Sequence, residues 1–117
     1  MKMNFLQYKN DFPEYEQELR LLQSWRNSYP DETVIVPTDV IDRKTEFSVI
    51  RLVWVLGLLV RRHVIELTYR IRYNDILLDE DYNCINDIPQ YIYDKEGTKV
   101  DMDGDNVGIL PVYHLLG

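Results

Sequence analysis

The sequence predicts an α+β fold: an N-terminal helix, a helix-turn-helix unit ending in a strand, and a small antiparallel β ribbon. Three observations predict it. Tyr15, Leu19, Leu22 and Trp25 recur at three- and four-residue steps, the period of a helix with one apolar stripe. Residues 49–60 form the longest apolar stretch, of helical length. From His63 to Tyr73 the pattern changes to strict alternation, with Ile65, Leu67, Tyr69, Ile71 and Tyr73 on one face and Val64, Glu66, Thr68, Arg70 and Arg72 on the other.

The first helix is expected over 12–28, after a polar and aromatic lead-in over 1–10. Pro13 suits the first helical turn, and Glu14, Glu16 and Glu18 lie near the positive end of the helix dipole. Asn27 to Glu32 reads as a stop, and Thr33 to Val36 as a β-branched run too brief to stand alone. Pro37, Thr38 and Asp39 start a short helix over 40–43. Thr45 then caps a second helix from Glu46 to about Val60. Its Phe47, Ile50, Trp54 and Leu58 fill more than one face, which predicts the most buried element of the chain.

Beyond the strand at 63–73, short strands are expected at 76–78, 90–94 and 98–101, with Lys95-Glu96-Gly97 joining the last two and glycine at the turn position that needs φ > 0. A final strand runs from Ile109 to Leu115. These elements divide the chain into an N-terminal helix and linker (1–35), a helical core with its strand (36–73) and a β module (74–117), expected to fold as one compact unit.

Thirteen basic and twenty acidic residues leave a net charge of -7, which argues against coating nucleic acid by bulk charge. The charge is unevenly spread: residues 1–39 balance at -3, residues 40–73 at +4 and residues 74–117 at -8. Such asymmetry concerns partners, or docking of the segments on each other. A single cysteine excludes a disulfide framework and fits a reducing compartment. The apolar run at 49–60 is shorter than the roughly 20 residues a spanning helix needs. A cytoplasmic chain off the membrane is the expectation.

No catalytic constellation emerges. Cys84 has no basic neighbour to lower its pKa. His63 sits where a cation suits the end of a helix, and His114 belongs to the last strand. The five glycines form no phosphate-binding loop. Asp101, Asp103 and Asp105 resemble the opening of a calcium loop, but Asn106 stands at the glycine position and Val112 at the final chelating position. A solvated acidic turn is the better reading, so neither metal nor cofactor is expected, nor enzymatic activity.

A short helix, a turn, a longer helix and an arginine-flanked strand form the skeleton of a winged helix. From about Val36 to Leu115 the chain resembles bacterial proteins in which a winged helix runs directly into a zinc-ribbon-like module. Arg70-Ile71-Arg72 leads into the first knuckle, Asp87-Ile88-Pro89 precedes the second, and Gly97 follows it. Val107 and Tyr113 match the terminal strand, although the gap between them is longer than the pattern's. The register places Tyr73 and Ile76 at the first pair of ligand positions and Tyr93 and Glu96 at the second, with sixteen residues between Ile76 and Tyr93. Only Glu96 is a zinc-ligating type, so the resemblance implies a ribbon that has lost its metal and replaced coordination by packing.

The resemblance also implies an accessory component of a larger bacterial complex, antiviral defence systems included. With the apolar second helix, the nine tyrosines and the charge split, it favours a non-enzymatic interaction module docking on a larger protein partner. A winged-helix transcriptional regulator is the alternative. For it Arg43, Lys44, Arg61, Arg62, Arg70 and Arg72 would contact phosphate, or else an acidic partner, while Glu46, Ser48 and Arg51 leave the second helix little to read base edges with. A weaker alternative is an acidic immunity or antitoxin protein presenting Asp79, Glu80, Asp81, Asp101, Asp103 and Asp105 to a basic partner. A homodimer is compatible with each reading.

Overall fold

Helices and antiparallel strands make up a computed structural model that describes residues 4–42 and 47–116. The chain forms two compact units, one of Met1–Glu66 with Tyr113–Gly117 and one of Leu67–Val112. The boundaries fall within strands, at neither of the divisions (35/36 and 73/74) drawn from sequence.

The first unit is built on helices. A 3-10 turn at Phe5–Tyr8 is capped by the Asn4 side chain and buries Phe5 completely, while the Phe5 N–H donates to Gln23 Oε1 at 2.8 Å. A second 3-10 turn, Pro13–Tyr15, leads into α1 (Glu16–Ser28), whose Leu19 and Leu22 are fully buried. Strand β1 (Val34–Ile35) pairs antiparallel with the end of β6 (Val107–Leu115), setting Ile35 opposite Tyr113. The brief β-branched run is therefore a strand only because a longer one supplies its partner.

Helix α2 is Pro37–Ile41, earlier than the expected 40–43. Proline's fixed φ suits the first helical position, so Pro37 is itself helical, and Asp42 leaves the helix with φ 48°. Helix α3 is Val49–Arg61, and its N-cap is Ser48, whose Oγ accepts from the Arg51 N–H at 3.5 Å. The expected cap at Thr45 and start at Glu46 lie outside the described residues. At the other end the His63 N–H donates to the Val60 carbonyl and the Val64 N–H to the Leu59 carbonyl, while His63 has φ 60°. This is a Schellman terminus with histidine where glycine is usual.

The second unit is a small β assembly. Strand β2 (Ile65–Tyr73) enters it and pairs antiparallel with β3 (Ile76–Leu77) through a two-residue turn, Asn74 (φ 51°) and Asp75 (φ 64°). Two successive left-handed residues form the turn type whose twist matches the flanking strands. Strand β6 lies on the other side of β2. A separate hairpin joins β4 (Tyr91–Tyr93) to β5 (Lys99–Asp101). Its turn is as expected: Gly97 has φ 80°, and Asp94 Oδ1 accepts from the N–H groups of Glu96 and Thr98. The fully or nearly buried apolar side chains here are Ile71, Val100 and Val112, a thin core.

The alternation of β2 is broken at Thr68. It belongs to the face opposite Ile65, Leu67, Tyr69, Ile71 and Tyr73, yet it is buried. Its Oγ1 donates to Asp81 Oδ1 at 2.8 Å, and Asp81 also takes a paired contact from Arg70, Nε to Oδ1 at 2.8 Å and Nη2 to Oδ2 at 3.2 Å. A backbone bridge between Tyr69 and Tyr82 holds that segment against β2.

Candidate functional site

Helix α3 carries apolar residues on every side, and only one side faces the core. Leu52, Val55, Leu56 and Leu59 are completely buried. On the opposite face stand Ile50, 63% exposed, and Trp54, 58% exposed, followed by Gly57 and Arg61. Their steps of four, three and four residues draw a straight outward stripe. Val53 and Leu58, both half-buried, flank it. The expected burial of Ile50 and Trp54 is thus reversed. A uniformly apolar helix has no polar face to indicate which side turns to solvent, and the four buried residues pack as a stripe of their own.

A hollow of about 360 Å³ lies on this face, lined by Tyr15, Val53, Trp54, Gly57, Leu58 and Arg61. A side chain at Gly57 would meet nothing within 4 Å, so the hollow has open space above the backbone. The cations beside it are turned onto the protein's own groups. Arg51 reaches Glu18 through Nε and Nη2 at 3.4 Å each, donates from Nη2 to the Glu14 carbonyl at 2.5 Å, and covers the Tyr15 ring at 4.8 Å. Glu18 is buried, so this ion pair ties α3 to α1. Arg62 meets Asp11 at 3.5 Å and stacks over Phe12.

The residues expected to touch phosphate or an acidic partner are therefore dispersed. Arg43 and Lys44 lie outside the described residues. Arg62 is paired with Asp11 and Arg70 with Asp81, while Arg61 and Arg72 are exposed. Arg61 and Arg62 close α3 in the first unit, and Arg70 and Arg72 belong to the second. Of the acidic candidates, Asp81 faces Arg70 and Thr68 of its own chain. Glu80 accepts from the Tyr82 hydroxyl at 2.9 Å, and Asp79 is exposed. Burial, followed by the hydrogen bond to and charge of Glu80, raises the Tyr82 pKa above its ordinary value of 10.0. Asp101, Asp103 and Asp105 are exposed at the start of the β5–β6 connection. Cys84 is exposed, and His114 pairs with Val34 in the sheet.

The second unit carries a cleft of about 360 Å³ lined by Tyr73, Asn74, Ile76 and Leu78 on one side and by Ile92, Tyr93, Asp94, Lys95 and Glu96 on the other. Tyr73, Ile76, Tyr93 and Glu96, the four positions assigned from the resemblance, thus border one cleft. Their chemistry does not fit zinc. A phenol, an alkyl chain and a second phenol accompany one carboxylate, where zinc takes thiolate, imidazole or carboxylate donors. Ile76, Leu78 and Ile92 give the walls an apolar part, and Tyr93 packs edge-on against Tyr91, with ring centroids 5.8 Å apart.

Two features here escaped sequence reasoning. The outward side of α3 carries no sequence signal, whereas consecutive Asn74 and Asp75, both types that tolerate φ > 0, did mark a two-residue hairpin. No family model, curated protein or solved structure matches the chain.

Proposed function

We propose that the chain is a non-enzymatic protein-interaction module, an accessory or adaptor subunit of a larger bacterial complex, which docks through the outward face of α3. The observation that carries this reading is the exposure of Ile50 and Trp54 on a helix whose opposite face is already buried in the core. Removing apolar surface from water favours association, and contiguous exposed apolar patches mark contact sites. Tryptophan and arginine are the side chains most enriched among energetically dominant contacts, and Trp54 and Arg61 share the hollow.

The same face disfavours the regulator alternative. A helix reading DNA presents donors and acceptors to base edges, whereas Ile50, Val53 and Leu58 present none and Trp54 only its indole N–H. Arg51 and Arg62 are engaged with Glu18 and Asp11, which weakens a phosphate-binding role. Tyr73, Ile76, Tyr93 and Glu96 border one cleft, but Ile76 and Tyr93 remain more than half exposed, so packing among these side chains does not take the place of a metal.

Affinity capture from the native host, with and without nuclease, tests the reading. A defined protein partner that survives nuclease and about 0.5 M salt is expected, because salt screens charge-only contacts and leaves apolar ones. Recovery dominated by nucleic acid and lost on nuclease would overturn it.

A further inference from the structure

In the second unit, two edge strands border the cleft. Among the described residues β3 is the last strand of its sheet, and β4 has a partner, β5, on one side alone. The register fixes which backbone groups each edge offers. The Met102 N–H donates to the Gln90 carbonyl and the Asp94 N–H to the Thr98 carbonyl, both at 3.0 Å, so positions 90, 92 and 94 bond across the hairpin. Tyr91 and Tyr93 alternate with them and turn their N–H and C=O groups away from β5. Among the described residues no hydrogen bond engages those four groups. The Leu78 N–H donates to the Ile71 carbonyl at 2.8 Å, so Leu77 likewise directs its backbone pair away from β2.

We infer that β4 accepts an extended basic segment of another protein as an added strand, with an apolar side chain of that segment seated in the cleft. Main-chain groups at a free edge give such a strand its affinity, and a pocket beside the edge gives it selectivity. The cleft of about 360 Å³ runs on into a smaller hollow of about 190 Å³, since Leu78, Ile92 and Tyr93 line both. Free edges are commonly blunted by charge or cover, whereas β4 presents Tyr91, 45% exposed, and Tyr93, 64% exposed. Aromatic side chains there are ready to pack on those of a neighbouring strand. Charge decides the occupant. Asp79, Glu80, Asp94 and Glu96 line the two hollows, and Lys95 is the one cation among their lining residues. Alternate lysines or arginines of an extended segment complement that rim, and an acidic segment is repelled by it.

The site lies wholly within the second unit, so it adds to the contact proposed for α3 and does not rest on it. The two contacts also differ in kind. Strand β4 has three residues, which limits the main-chain bonds an added strand can make, and the exposed rim charges are screened by salt. Binding that is weak and falls with rising salt follows, under conditions that leave an apolar contact intact.

Fluorescence anisotropy with a short labelled peptide alternating lysine and valine, joined to amide NMR of the purified chain, tests this. The peptide is expected to bind at low salt, to shift the Tyr91 and Tyr93 amide resonances, and to lose affinity as salt rises. N-methylating its backbone keeps the charges and valines but removes the strand donors, and should weaken binding at least tenfold. Tyr93→Pro removes an outward N–H without touching the bonds to β5, and should weaken binding at least tenfold with unchanged circular dichroism. Asp79→Asn with Glu96→Gln should lower affinity and flatten its salt dependence. No binding of the lysine peptide at low salt overturns the inference, as does equal binding when glutamate replaces its lysines. Equal affinity for the N-methylated peptide reduces the site to charge alone and overturns the added strand, a result that stands even if Tyr93→Pro does not fold. Ile50→Glu should leave peptide affinity unchanged while abolishing capture of a host protein, so this site and the α3 contact fail separately.

Discussion

Replacing Asp81 with alanine removes an acceptor shared by Thr68 and Arg70, and the structure sets the size of the loss. Arg70 and Asp81 keep 17% and 35% of their side-chain surface in solvent, so the ion pair is screened and its Coulomb contribution is at most about 1 kcal/mol. The hydroxyl of Thr68 is different, because Thr68 is buried, and loss of an acceptor by a buried donor costs about 1–3 kcal/mol. Together Asp81→Ala is expected to destabilise by about 2 kcal/mol. Asp81→Asn keeps an acceptor oxygen for Thr68 and loses only the charge, so it costs under about 1 kcal/mol. Both tryptophans, Trp25 and Trp54, lie in the first unit, so indole fluorescence is the wrong probe. Urea unfolding followed by amide exchange at β2 reads the second unit directly. A loss below about 0.5 kcal/mol for Asp81→Ala would refute the argument and return Asp81 to the role of a surface charge open to a partner.

His63→Gly is expected to stabilise by about 1 kcal/mol in thermal or urea unfolding, since φ 60° strains a residue with a Cβ and not glycine. Gly97→Ala should destabilise by about 1 kcal/mol through its φ of 80° alone, because an added Cβ there meets nothing within 4 Å. The folded state holds the Tyr82 proton more tightly than the unfolded state, so this residue's contribution to stability is complete below the ordinary tyrosine pKa of 10.0 and is lost as pH rises through the raised folded value. Urea midpoints at alkaline pH should show that loss, and Tyr82→Phe should remove it. Elemental analysis of the purified chain should return far less than one zinc, because Glu96 is the only suitable donor among the four ligand positions assigned from the resemblance; one zinc per chain would overturn the degenerate-ribbon reading.

The α+β class and nearly every element were legible because hydrophobic period and turn chemistry are local. Gly97 marked its hairpin, and alternation marked β2, since both signals depend on a few adjacent residues. Helix starts were less legible. Ser48 and Thr45 are equally good caps on paper, and the helix begins after Ser48. The candidate site was the least legible part, for a physical reason. Periodicity reports a core face only by contrast with a polar one, and α3 offers little contrast, so the outward position of Ile50 and Trp54 was set by tertiary packing of Leu52, Val55, Leu56 and Leu59. Charge balance by segment likewise did not identify pairs. Within the basic middle, Arg51 and Arg62 pair with α1 and the segment before it, and Arg70 with Asp81.

The central claim is that the outward face of α3, and not the arginines outside it, carries the chain's contacts with its larger partner. The most direct measurement compares three tagged baits in nuclease-treated host lysate: wild type, Ile50→Glu with Trp54→Ala, and Arg62→Ala with Arg72→Ala. All substituted side chains are exposed, so each bait is expected to fold. The account predicts that the α3-face variant loses the captured protein by at least tenfold, while the arginine variant retains most of it. Full retention by the α3-face variant, with loss confined to the arginine variant, would contradict it.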